Sequence, residues 1–380
     1  MHQLAACHSG IPQGGFVHRR GYPHVMRVVS AGRKCSAKIC IKNNSVSHAQ
    51  PKGMNVIMLN NIKVAITCGY IGDHPCYQPF KDAGIIYEPV GIKTTYVEDL
   101  RDYDCILAGG EPFGKEILDQ LPNLKLIMRH GTGYDAIDLD YASKIGVAAA
   151  NTPGANADSV AEFALTLLLC VGQQIIPYND ACRGIGPWPQ PMARALEGTV
   201  GIIGFGMIAR SFVKFLSPFP IDGILAYDPY VEASVMEAHG VKKCELRDIQ
   251  RQANIISVHA QALPENYRLL GRNFFEGMQN NVILVNTARG QLIDEDALCN
   301  ALGSGKVIGA GLDVVDEENP WDHPMRKMPN VFLTPHVATN NLRCRIKVNE
   351  YAVSAILDFF SGKPVKSILN PEYIHGRRCI

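Results

Sequence analysis

Acidic residues are absent from the first 53 positions of this 380-residue chain, which hold eight basic ones: Arg19, Arg20, Arg27, Arg33, Lys34, Lys38, Lys42 and Lys52. The rest of the chain carries 29 basic against 36 acidic residues, a net −7, inside an overall formal charge of +1. That balance excludes a protein whose main partner is nucleic acid or another polyanion. Residues 1–53 also lack a clean apolar period, so they are read as a separate object. Three readings stand: an organellar transit segment, a start codon placed too early with Met54 as the working start, or a disordered tail. The last two are preferred, which goes with a cytoplasmic protein.

Long hydrophobic runs are missing too. The longest, FALTLLLCV from Phe163 to Val171, is nine residues, against about 18 needed to span a bilayer, so no membrane span is expected. The twelve cysteines are scattered and no CxxC pair occurs. This argues against a metal site and a disulfide framework, and for small buried hydrophobes in a reducing compartment. No fixed-period repeat or low-complexity tract is present. With 47% hydrophobic and 19% charged residues, wholesale disorder is excluded.

What the chain does contain, from Ile62 onward, is short apolar runs alternating with helical patterns. VAIT (64–67), CILA (105–108) and KLIM (125–128) form a first series. TVGII (199–203), ILAY (224–227), IISV (255–258), VILVN (282–286), AGLDV (310–314) and VFLT (331–334) form a second. Such alternation predicts two doubly wound parallel sheets with crossover helices, an α/β fold. Between them, Pro153 and Gly154 mark a loop, and Ser159 with Glu162 reads as a capping box opening a helix. Val160, Phe163, Ala164, Leu167 and Leu168 give that helix an apolar face.

Directly after TVGII, Gly204, Gly206 and Ala209 make a GxGxxA turn. Ile208, Phe212, Phe215 and Leu216 follow at helical spacing. Strand, glycine turn and helix in this order permit close approach of a pyrophosphate to a helix N-terminus. Asp228 ends the next strand, 22 residues after Gly206, where a carboxylate accepts from a ribose 2′-hydroxyl and repels a 2′-phosphate. NAD is therefore the expected cofactor, although an Asp before Pro229 is also a common turn residue.

Three further strand ends deliver chemistry. VILVN leads into TARG and Arg289, AGLDV into Asp313 and then Glu317 and Glu318, and VFLT into Pro335 and His336. The carboxyl edge is where open α/β sheets bind ligands. An arginine to hold a carboxylate and polarise a carbonyl, with a histidine to move a proton and an acid beside it, is the inventory for hydride transfer to a 2-oxo acid. Singly, each residue also has an ordinary structural reading, as a surface ion-pair partner, a solvated loop acid or a histidine satisfied by backbone.

The motifs MRHGTGYDAIDL, NTPGANADSVAE, GFGMIA with YDP, VNTARGQLIDEDAL, GAGLDVVDEENP, TPHVAT and GKPVKSILNPE resemble the D-isomer-specific 2-hydroxyacid dehydrogenase family, most closely the branch that includes D-3-phosphoglycerate dehydrogenase. The resemblance runs from about Val64 to Glu372. It implies a Rossmann NAD-binding domain (156–340) inserted into a flavodoxin-like substrate domain (60–155 and 341–374). It places the catalytic roles on Arg289, His336 and Glu318, with Glu317 the alternative because Asn319 precedes Pro320. Cofactor contacts fall on Thr132, Gly204, Gly206, Met207, Ile208, Ala209, Asp228, Thr287, Ala288 and Asp313. Substrate contacts fall on Arg129, Gly131, Thr132, Gly133 and Arg289, Arg129 at a position used for phosphate recognition. A second such arginine is missing, since Gly109 stands where that branch tends to have one. The implied activity is NAD-dependent interconversion of a small D-2-hydroxy acid and its 2-oxo acid, with 3-phosphoglycerate, glyoxylate, hydroxypyruvate and larger acids all open. An NAD(H)-sensing corepressor is the alternative. A homodimer is implied, and no room is expected after Ile380 for the regulatory domains some members carry.

Overall fold

Runs such as Cys105–Ala108, Ile255–Val258 and Val282–Asn286 are apolar at nearly every position, and every residue in them is buried. A strand covered on both faces needs that composition, and parallel sheets flanked by helices provide it. The computed structural model describes residues 58–90, 96–189, 193–316 and 324–376. The basic head, residues 1–53, and the acids Glu317 and Glu318 lie outside the described residues.

The first sheet comprises β1 (Lys63–Ile66), β2 (Ile86–Pro89), β3 (Cys105–Ala108), β4 (Leu126–Arg129) and β5 (Ala148–Ala150). All pairs are parallel, in the order β2-β1-β3-β4-β5. The second comprises β6 (Gly198–Ile203), β7 (Ile221–Tyr227), β8 (Lys242–Lys243), β9 (Ile255–Val258), β10 (Val282–Asn286), β11 (Val307–Leu312) and β12 (Val331–Leu333). Its order is β12-β11-β10-β9-β6-β7-β8, again parallel throughout. From β6 the chain winds outward through β7 and β8, then returns to place β9 on the other side of β6. That reversal opens a crevice beyond the carboxyl ends of β6 and β9.

Helix α1 (Ala157–Gly172) lies on the second sheet, its Ala161, Ala164, Leu167, Leu168 and Val171 buried with Val200, Ile202, Ile283 and Val285. Helix α2 (Met207–Leu216) follows the glycine turn and packs on α1 through Ala209, Phe212 and Val213. Helix α3 (Leu342–Phe360) brings the chain back to the first sheet. Its Ala352, Val353, Ile356 and Phe359 share a core with Val64, Ile66, Leu107 and Met128. The Rossmann unit is thus inserted into a flavodoxin-ordered unit, as the resemblance implies.

Some local expectations change. The second sheet has seven strands rather than six, because Lys242–Lys243 adds a two-residue edge. Helix α1 begins at Ala157, not at Ser159. The Asn156 side chain makes no cap, because its Oδ1 accepts from Thr132 Oγ1 at 3.0 Å, and Ser159 is buried inside the helix. β11 stops at Leu312, so Asp313 leaves the sheet instead of continuing it.

Candidate active site

The glycine turn follows from close packing of backbone. Gly204 has φ +84°, and a Cβ there would lie 2.5 Å from the backbone of Ala260, so only glycine fits. Gly206 precedes α2 with φ −77°, and a Cβ there would meet nothing within 4 Å. The first turn of α2 therefore faces open space with its N–H groups available to an anion. Ala209 is fully buried against α1, Ile208 packs partly into the same core, and Met207 is exposed with its sulfur over Gly154. Asp228 braces the turn from the end of β7. Its Oδ2 accepts from Phe205 N at 2.8 Å and its Oδ1 from Tyr230 N at 2.9 Å. Each oxygen keeps a lone pair for a ribose hydroxyl.

At the end of β10, Asn286 holds the next loop, accepting from Ala288 N at 2.9 Å and donating to Arg289 O at 2.8 Å. The Oγ1 of buried Thr287 has no hydrogen-bond partner among the described residues. A buried hydroxyl left without a partner fits a site completed by a ligand, so the open turn and this hydroxyl suit a dinucleotide. His259, beyond β9, meets Ser257 Oγ through Nε2 at 2.9 Å, and burial pushes its pKa down to about 3, so it is neutral.

Arg289 leaves β10 in extended conformation and reaches the first unit. Its Nη2 donates to Asp135 Oδ1 at 3.0 Å, its Nε lies 3.3 Å and 3.4 Å from the two carboxylate oxygens, and its Nη1 donates to Ala288 O at 2.7 Å. Burial pushes the Asp135 carboxyl up, and the hydrogen bonds and charge of Arg289 more than offset this, holding it below its ordinary value. A Cβ at Gly133 would sit 1.9 Å from Arg289 Nη2, so any side chain there would displace the guanidinium.

His336 sits in a loop with φ +52° and donates its backbone N–H to Asp313 O at 2.8 Å. Asp313, 1% exposed, pins this loop. Its Oδ1 accepts from Thr334 Oγ1 at 2.5 Å and Val337 N at 2.9 Å, and its Oδ2 from Ala338 N at 2.9 Å. Expected as a cofactor contact, Asp313 thus has both oxygens engaged in carrying the histidine loop. The acid expected to pair with His336, Glu318 or Glu317, lies outside the described residues.

Arg289 and His336 line one cavity of about 530 Å³, together with Arg129, His130, Gly133 and Arg345. The carboxyl ends of β3, β4, β10 and β12 all lead to it. Arg129 Nη1 donates to the carbonyls of Ala108 (3.3 Å) and His130 (2.8 Å). Burial, and then the Arg129 charge, push His130 down to about 4. Of the expected loop donors, Gly131 N already donates to Thr152 Oγ1 at 2.9 Å, whereas Thr132 N and Gly133 N have no partner among the described residues. Thr132 is tied to the segment before α1 through Asn156 and through Asn151 Nδ2, which donates to its carbonyl at 2.9 Å.

Sequence reasoning missed Asp135 and Arg345. For Asp135 there was a signal: an acid two residues after a glycine loop expected to grip a carboxylate calls for a cation beside it. Arg345 gave none, because its approach depends on where α3 returns.

Residues 165–338 match the family described as D-isomer specific 2-hydroxyacid dehydrogenase, NAD binding domain. The chain is 33% identical over 279 residues to D-3-phosphoglycerate dehydrogenase of Archaeoglobus fulgidus, covering 72% of this chain and 53% of that one. It thus spans about half the length of the curated phosphoglycerate dehydrogenases it matches. It is 32% identical over 295 residues to glyoxylate reductase of Thermofilum pendens, covering 74% of this chain and 85% of that one. The solved structure of D-lactate dehydrogenase from Aquifex aeolicus, complexed with NAD and lactic acid, matches with a TM-score of 0.68 at 26% identity, covering 79% of this chain and 96% of that one. The likeness to the glyoxylate reductase takes in both sheets and not the nucleotide unit alone, and the chain belongs to the D-isomer specific 2-hydroxyacid dehydrogenase family, its seven-stranded unit being that family's NAD-binding domain.

Proposed function

We propose that the protein is an NAD-dependent oxidoreductase interconverting a small D-2-hydroxy acid and its 2-oxo acid. The observation that carries this is the convergence of Arg289 and His336, from the ends of β10 and β12 of the nucleotide-binding sheet, on one cavity. Gly204, Gly206, the first turn of α2, Asp228 and Thr287 hold the dinucleotide, with NAD favoured over NADP by the Asp228 carboxylate. When bound, NADH supplies the hydride that reduces C2, and NAD accepts it in the reverse direction.

The N–H groups of Thr132 and Gly133 and the Arg289 guanidinium take the substrate carboxylate, and Arg289 also polarises the carbonyl. Asp135 fixes that guanidinium by holding Nε and Nη2. His336 gives a proton to the oxygen at C2 as it becomes an alkoxide, and takes it back in the oxidation. The relatives named phosphoglycerate dehydrogenase and glyoxylate reductase support the acid class and leave its chain length open.

Oxidation of NADH with a panel of 2-oxo acids, including glyoxylate, hydroxypyruvate and 3-phosphohydroxypyruvate, tests the reading. Turnover is expected, with higher kcat/KM for NADH than NADPH. His336→Ala should lower kcat by roughly 10² to 10⁴ while NADH binding is retained. Tight NADH binding without turnover on any acid would overturn the reading in favour of an NAD(H) sensor.

A further inference from the structure

Away from the catalytic cavity, the seven-stranded unit carries a groove of about 570 Å³ whose charged lining is of a single sign. It runs between the helix Leu246–Gln252 and the segment leading into the short helix Arg272–Gly277. It shares no lining residue with the cavity that holds Arg289 and His336. Arg247, Arg268 and Arg272 line it, all three exposed, and among the described residues no acid does. That concentration of positive charge sits in a body, residues 54–380, whose net charge is −7.

The two walls are tied together. Gln250 Nε2 donates to Asn273 O at 2.8 Å and to Phe274 O at 3.0 Å, and Ile249, Leu270, Phe274 and Phe275 share one core. Arg268 stands at φ +53°, in the left-handed region where a side chain is costly. Its N–H donates to Gln291 O at 2.7 Å, and its guanidinium lies 5.3 Å from the centroid of the Tyr267 ring. None of the three arginines has a carboxylate within ion-pair distance among the described residues. Glu245 and Asp248, which flank Arg247, are turned to the backbone of their own helix in a capping box. Asp294 and Asp316 act on Arg268 from outside the groove.

Guanidiniums brought to one groove without counter-ions repel one another, and a ligand bearing several negative charges removes that repulsion. Phosphate oxygens suit them best, because the planar fork of an arginine pairs with two of them at once. The acidic body works against nucleic acid, and the volume lies in the range of small-molecule sites. Leu246, Leu269 and Phe274 give the groove an apolar side next to the charges. We infer that this groove binds a small polyphosphate, inorganic or esterified to a nucleoside, at a site separate from the cofactor turn and from the catalytic cavity. The inference does not rest on the dehydrogenase reading.

Calorimetric titration of the NADH-saturated protein tests this with the cofactor turn already filled. Inorganic triphosphate should bind saturably at one site per chain, and Arg247→Gln and Arg272→Gln should each weaken it about tenfold. Arg251→Gln, one turn further along the same helix and outside the groove, removes the same charge and should change the affinity about threefold or less. ATP measured against triphosphate identifies the form of the ligand. Tighter binding of ATP seats a nucleoside on the apolar side, and equal or weaker binding assigns the site to the phosphate chain alone. No saturable binding of either compound overturns the site. So does a loss in Arg251→Gln as large as in Arg247→Gln, which would mark a general attraction to surface charge.

Discussion

At the scale of single residues, the contact between Arg289 and Asp135 decides how the guanidinium is presented. A lone arginine on a loop samples many rotamers, and the carboxylate on Nε and Nη2 removes most of them. Asp135→Asn should lower kcat/KM by about tenfold or more, mainly through KM, with NADH affinity unchanged and Asp135→Glu restoring part of the loss. The pH dependence has a definite sign. Asp135 has its pKa depressed in the fold, so its contribution to stability is present above the ordinary carboxylate range and is lost as pH falls through the lower folded value. Denaturation of wild type and Asp135→Asn should therefore differ by a constant amount from about pH 5 to 8 and converge below about pH 4. Half of the Asp135 side chain is exposed, so solvent screening keeps that difference small. His130, pushed down to about 4 by burial and then by the Arg129 charge, does not gain a proton in the neutral range.

At the scale of elements, the two glycines of the cofactor turn make a matched pair of tests. Gly204→Ala meets both a left-handed backbone and the Ala260 backbone, so the unliganded protein should lose about 2 kcal/mol or more of stability. Gly206→Ala meets neither. It should change thermal denaturation by less than about 0.5 kcal/mol while weakening NADH binding in a fluorescence titration, because its methyl enters the space left for phosphate. Legibility in sequence follows the same local logic. β9 and β10 coincide with the apolar runs IISV and VILVN because burial on both faces leaves no other composition. β2 is an exposed edge that closes on Pro89, β5 is three alanines without a branched side chain, and β8 is two lysines, so none carries a strand pattern of its own. Arg289 and His336 were legible because each follows such a run at the catalytic edge. The pinning of the His336 loop by Asp313 was not, since it depends on contacts 24 and 25 residues apart in sequence.

At the scale of the whole molecule, the carboxyl ends of two parallel sheets open on one cavity, which therefore has walls from both units. Arg289 bridges them through Asp135, and Thr132 ties the first unit's loop to the segment preceding α1. We propose a homodimer in the cytoplasm, and light scattering on the eluting protein should then give twice the 41.6 kDa of one chain; a mass of one chain would reject it. The insertion of one unit into the other also bears on biosynthesis. The apolar face formed by Val64, Ile66, Leu107 and Met128 is covered by Ala352, Val353, Ile356 and Phe359 of α3, which the ribosome makes only after the nucleotide-holding unit. The nucleotide-holding unit can close as soon as its own strands emerge, whereas the five-stranded sheet waits with greasy surface showing. That interval is when a nascent chain of this topology is most prone to aggregate and most in need of a chaperone.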